Sequence, residues 1–217
     1  MEKSTFVTEP PGEVPDNPKR RAIVEAATRL FLGEGFGAVS VDTIAAEANV
    51  SKRTVYSHFE NKGSLFAGVM TCVCEQRGGV VGCPLLNGDL VRKTAVADIL
   101  QMTGEHLLGI ITSPQAIEVY RVVIGETSRF PELGKNFFDC GPSFVLKMIS
   151  DYLSDRVAAG ELTIDEPDIA ARHLMAMMVF PLQMELACGV RDSISEPEIR
   201  VIVAKAVGSF MKAYVIS

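Results

Sequence analysis

Apolar positions along the 217-residue chain recur at the spacing of helices, and no stretch alternates as a strand would. Ile23, Ala26, Ala27, Leu30 and Phe31 mark one helix face, and Gly33 and Gly35 supply its stop. Ser40 can cap a short second helix with Val41, Ile44, Ala45 and Ala48 on one face; Asn49, which tolerates the left-handed region, ends it. Ser51 can cap a third, where Val55 and Phe59 at i, i+4 leave one narrow buried edge. Asn61 opens a fourth, with a broad stripe of Leu65, Phe66, Val69, Met70 and Val73. Further helices are expected over 90–112, 114–128, 131–159, 166–188 and 196–215, with breaks at Pro142 and Pro181. The last two share a start signal, Asp165-Glu-Pro-Asp168 and Ser195-Glu-Pro-Glu198: a capping side chain, an early-turn proline, then an acid. The fold class is all-α.

Charge divides this helical chain. The net charge is −6, which argues against nonspecific coating of nucleic acid, but it is unevenly spread. Residues 1–18 carry −3, 19–66 carry +2 and 67–217 carry −5. The first stretch holds Pro10, Pro11, Pro15 and Pro18 and little apolar content, so it is expected to be a disordered arm. A small basic module over 19–66 and a larger acidic helical one over 67–217 follow. With no apolar run near the ~18 residues a spanning helix needs and no basic-then-apolar leader, no membrane is expected and the location expected is cytoplasmic.

The second and third helices, joined by the turn at Asn49 to Ser51, form a helix-turn-helix pattern, whose second helix enters the major groove of DNA. At 100° per residue, with Val55 and Phe59 inward, Arg53, Ser57 and Thr54 point most directly outward. Lys52 and Tyr56 flank one side and His58 the other. Such a face presents cations and donors: Arg53 can pair with guanine O6 and N7, while hydroxyls and Tyr56 can reach bases or phosphates. Lys62, at a helix N-terminus, is a candidate phosphate contact, and Ser40 and Thr43 join the DNA-binding set. Lys19, Arg20 and Arg21 can add backbone contacts or simply solubilise the chain.

Gly35-Phe-Gly-Ala-Val-Ser40-Val-Asp-Thr-Ile44-Ala45, then Ala48-Asn-Val50-Ser51-Lys-Arg-Thr54-Val-Tyr56-Ser-His58-Phe59, Asn61-Lys62 and Leu65-Phe66 resemble the N-terminal domain of TetR/AcrR-type transcriptional regulators. The chain has Asn49 where a glycine is common, and Gly63 where an acid often stands. Tyr120 to Leu133, with Glu126, Arg129, Phe130, Pro131 and Glu132, resembles the AefR-like subgroup. The resemblance implies a three-helix DNA-binding domain followed by a helical ligand-binding and dimerisation domain, in a homodimer on a palindromic operator. It also implies repression relieved by a small effector.

In the larger module, Leu174 to Leu182 is apolar all round. Together with the wide stripe of Ile199, Ile202, Val203, Ala206, Phe210 and Tyr214, it predicts a homodimer interface through the last two helices. Met102, Met148, Met177 and Met178 are adaptable fillers that can line an apolar ligand site, and His106, Tyr120, Phe144 and His173 can orient a ligand. The five cysteines show no metal-binding spacing, so no metal or cofactor is expected; no catalytic fingerprint appears either. Two alternatives remain at this level. One is a thiol-redox regulator switching through Cys140 or another cysteine. The other is a small-molecule-binding protein of the same fold without operator binding.

Overall fold

The computed structural model describes residues 17–214 except 77, 80 and 81; residues 1–16 of the expected arm lie outside the described residues. Asn17 and Pro18, assigned above to the arm, belong instead to the first helix. Asn17 Oδ1 accepts from the backbone of Lys19 at 3.0 Å and of Arg20 at 3.3 Å. Pro18 takes the first helical position, where its missing N–H costs nothing. Four helices follow as expected: α1 (Pro18–Glu34), α2 (Val41–Glu47), α3 (Lys52–His58) and α4 (Lys62–Glu75). The boundary between 66 and 67 falls inside α4, which runs on into the larger module.

Beyond it come α5 (Gly88–Lys93), α6 (Val96–Ile111), α7 (Pro114–Glu126), α8 (Pro131–Cys140), α9 (Pro142–Ala158), α10 (Pro167–Val179), α11 (Leu182–Ala187) and α12 (Glu196–Tyr214). The helix expected over 90–112 is broken, because Thr94 and Ala95 are both extended and Val96 begins the buried stripe anew. Breaks at Pro142 and Pro181 fall where proline removes a donor. The shared start signal works only once. Ser195 caps α12, its N–H and Oγ–H donating to Glu198 Oε2 at 2.9 and 2.7 Å. In α10 the helix starts one residue later, at Pro167, so Asp168 sits too early to reach back and Glu166 gives no side-chain cap.

Two apolar cores result. The first joins α1–α4 around Phe31, Phe36 and Phe66, whose ring centroids lie 5.2 to 5.7 Å apart. It also takes in Val119 and Val123 of α7 and Leu133 of α8. The second is built on α6, α9, α10 and α12 around Leu100, Leu108, Leu153, Leu174 and Phe210. Among the described residues there is no strand, and no single helix is long and apolar enough to cross a membrane.

Candidate functional site

The turn between α2 and α3 is fixed by local chemistry. Asn49 adopts φ 54°, its N–H donates to Ala46 O, and the N–H of Val50 donates to Ala45 O at 2.9 Å. Those two bonds satisfy carbonyls at the end of α2 and make the left-handed residue the pivot of the turn. Ser51 then caps α3, accepting from the Thr54 backbone at 3.1 Å. Val55 and Phe59 are buried, so the opposite face is presented outward.

On that face Lys52, Arg53, Tyr56 and Ser57 are exposed and His58 is half-buried. Arg53 has no hydrogen bond or ion pair among the described residues, leaving its guanidinium available to a base edge. Five of the expected contact residues are already engaged. Lys52 pairs with Asp42 of α2 at 2.9 Å, and that carboxylate holds its ammonium above the usual lysine range. Thr54 is turned back to Ser51 Oγ at 2.8 Å instead of pointing outward, and Ser57 Oγ donates to the Thr54 carbonyl. Ser40 and Thr43 are exposed and paired with each other at 2.8 Å in the cap of α2.

Lys62 departs most from expectation. Its ammonium bonds the Phe36 carbonyl and stands 4.3 Å over the Phe36 ring, so in the DNA-free chain it is turned toward the α1–α2 turn. Burial pushes its pKa down, opposed by the Glu126 charge. The head group binds the α1–α2 turn because that turn offers an aromatic face and a free carbonyl together. The N-terminus of α4 is closed by a capping box between Asn61 and Ser64. Gly63 is buried there, and a Cβ would come within 3.3 Å of Asn136 on α8. Arg20, by contrast, lies 4.9 Å over the Phe59 ring at the edge of α3.

All the expected effector residues except His106 lie outside the two clefts described below. Met148 and Met178 are buried in core packing, Met178 close against Gly104, while Met102 is half-buried. Tyr120 packs on the Phe137 ring at 6.1 Å. Half-buried Phe144 lines neither of the two clefts described below. His173 Nδ1 lies 2.6 Å from Tyr214 Oη, tying α10 to the end of α12, and Met177 faces outward. The long apolar segment has its reason in periodicity: Leu174, Met178 and Leu182 turn inward, leaving Met177, Phe180 and Met184 exposed.

Two adjoining clefts occur elsewhere. One of about 260 Å³ is lined by Glu105, His106, Gly109, Glu196, Ile199 and Arg200; His106 lies 2.8 Å from the Gly79 carbonyl. The other, about 290 Å³, has an apolar side of Ile117, Leu186, Ile194 and Ile199 and polar groups at Glu118, Arg121 and Asp192. Arg121 donates to the carbonyls of Leu186 and Ala187 at 2.8 Å, closing the end of α11 onto α7. Of the expected effector residues, His106 lines one of these two clefts and the others line neither. The loop that brings Asp192 and Ile194 to α7 has no signal in the hydrophobic pattern, so its part in the cleft was not legible.

Cys188 is exposed, while the other four thiols are buried or half-buried. Cys72, Cys74, Cys83 and Cys140 are all pushed up by burial, away from the thiolate that reacts.

Comparison with known proteins agrees with this geometry. The chain is 24% identical over 164 residues to the HTH-type transcriptional regulator YhgD of Bacillus subtilis, covering 74% of this chain and 81% of that one. The solved flavonoid-responsive regulator FrrA superposes with a TM-score of 0.73 at 28% identity, over 91% of this chain and 97% of its own. A TetR-family regulator structure from Mesorhizobium loti gives 0.78 at 24% identity, over 94% and 100%. Residues 23–69 match the bacterial regulatory proteins of the tetR family, and 98–216 match the C-terminal domain of AefR-like transcriptional repressors. With its Asn49-pivoted helix-turn-helix and that second module, the chain belongs to the TetR family of DNA-binding transcriptional regulators, in its AefR-like branch.

Proposed function

We propose that the protein is a cytoplasmic homodimeric repressor that binds a palindromic operator through α3 and is released by a small effector held in the cleft beside α7. The observation carrying this reading is the outward face of α3, where exposed Arg53 has no partner among the described residues. Arg53 reads a base edge in the major groove; Lys52, once exchanged from Asp42 to a phosphate, fixes the backbone register together with Tyr56 and His58. Lys62 has no part in that contact.

Dimerisation is supported by exposed apolar surface on the last helices. Met177, Phe180 and Met184 on α10–α11 and Val201 on α12 are open to solvent in a single chain, and a Cβ at Gly208 would meet nothing within 4 Å. Burying such a face against its own copy requires a two-fold axis. For the effector, the cleft's apolar wall with polar groups at one rim suits a small aromatic molecule carrying hydroxyls, and FrrA's response to flavonoids makes a flavonoid the first probe to titrate.

Selection from random duplexes followed by titration at several salt concentrations tests the reading. A palindromic site should emerge, with log affinity falling against log salt by about 0.9 per phosphate neutralised. A monomeric protein with no selected sequence would end the proposal.

A further inference from the structure

The signature residues around Glu126 are absorbed neither by the recognition helix nor by the cleft, yet they lie between the two. Glu126, the last residue of α7, accepts the backbone N–H of Gly37 at 3.0 Å, across 89 positions of sequence. The fit is close. A Cβ on Gly37 would lie 3.2 Å from Glu126 Oε2 and 3.3 Å from the Phe130 ring, and one on Gly35 would lie 3.2 Å from Glu126 Oε1. The turn can approach the carboxylate because it reads Gly35-Phe36-Gly37.

Phe36 is held from both sides. Its ring meets Phe130 edge-on at 5.1 Å, while Lys62 bonds its carbonyl and covers its face. The turn from α1 to α2 is therefore wedged between the first turn of α4 and the corner joining α7 to α8. Ser40, the cap of α2, follows Gly37 by three residues, so a displacement of the turn is passed to the helix-turn-helix. At its other end α7 forms a wall of the larger cleft through Ile117, Glu118 and Arg121. From Ile117 to Glu126 is nine residues, about 13 Å of continuous helix at ~1.5 Å per residue.

We infer that Glu126 is a positioning residue for DNA binding, through which occupancy of the cleft beside α7 moves the turn at Gly37 and so resets α2 and α3. The inference rests on the reading of α3 as the DNA-binding helix. It adds to that reading the element that transmits the signal and the bond by which it does so. Lys62 acts here as the counter-charge inside the wedge, since the Glu126 charge offsets part of the cost of its burial.

Two measurements test the inference on the full-length protein. In the DNA-free state, Glu126→Ala should speed amide exchange at Gly37 about tenfold, the weight of one hydrogen bond to a charged group, while Glu126→Gln, which keeps an acceptor, should change it less than about threefold. Equal exchange in all three proteins overturns the inference without touching the assignment of α3. For transmission, Ser193→Trp serves as the probe, since Ser193 is an exposed residue lining the cleft and an indole there would partly fill it. It should weaken binding to the selected duplex about tenfold in the parent protein and by less than about threefold in Glu126→Ala, a coupling that a purely structural residue would not show. Equal losses in both backgrounds overturn the transmission. Arg53→Ala separates the readings: if it binds every duplex as the parent does, the assignment of α3 has failed, while the exchange data still decide the wedge.

Discussion

The two modules present their chemistry in different ways. In α1–α4 each functional position follows from a neighbour a few residues away: Ser51 caps α3, Asn49 turns the chain, Val55 and Phe59 set the buried edge. In the larger module the cleft is assembled from α6, α7, the 188–195 loop and the start of α12, whose partners lie tens of residues apart. Duplex DNA offers the same groove geometry to every protein, so a short, locally encoded helix suffices to meet it. A cleft for one small molecule has no such common partner.

Several substitutions would break or sharpen that contrast. The largest effect is expected from Phe66→Ala, which removes a fully buried ring from the first core and should cost about 3–5 kcal/mol. Because Val119, Val123 and Leu133 belong to the same core, chemical unfolding should remain one transition at a lower midpoint; two separated transitions would show that the modules are independent. Arg53→Ala should cost ~1–3 kcal/mol at one base pair of each half-site and relax preference there, read by competition among single-base variants.

A smaller and opposite effect is expected from Asp42→Asn. It releases Lys52 and removes an acid beside the groove, so binding to all duplexes should tighten and the salt slope steepen by up to about 0.9. An unchanged slope would mean that Lys52 does not contact phosphate. The smallest concerns the start of α12. Hydrogen bonds from Ser195, then Arg191, hold the Glu198 carboxyl down at about 2 from 4.5. A depressed carboxyl contributes stability above its unfolded value, and that contribution is lost as pH falls from about 4.5 through about 2. Glu198→Gln should therefore lower stability slightly at neutral pH and flatten the acid limb of the thermal melting curve in that window. An identical acid limb in the two proteins would count against the cap.

Legibility followed the range of the interaction. Helix α3 and its outward face were readable because capping and the i, i+4 pair act within one or two turns. Asp42 escaped notice because it faces Lys52 only when α2 and α3 cross, although no acid lies within α3 itself. The setting of Lys62 was hidden for a related reason: a lysine at a helix N-terminus suggests a phosphate, and nothing local reveals that Phe36 stands beside it. Among the methionines, periodicity marked apolar positions but could not say which would face a neighbour, a ligand or solvent.

The sequence by itself determined an all-helical chain, the position of its helix-turn-helix and the cations that this motif presents, because caps, turns and helical spacing are settled between near neighbours. Only the tertiary structure decided which of those cations is free, where the cleft lies and how Glu126 reaches Gly37. Those outcomes depend on helices distant in sequence meeting at distances of a few ångströms, where a single charge or a missing Cβ settles the contact.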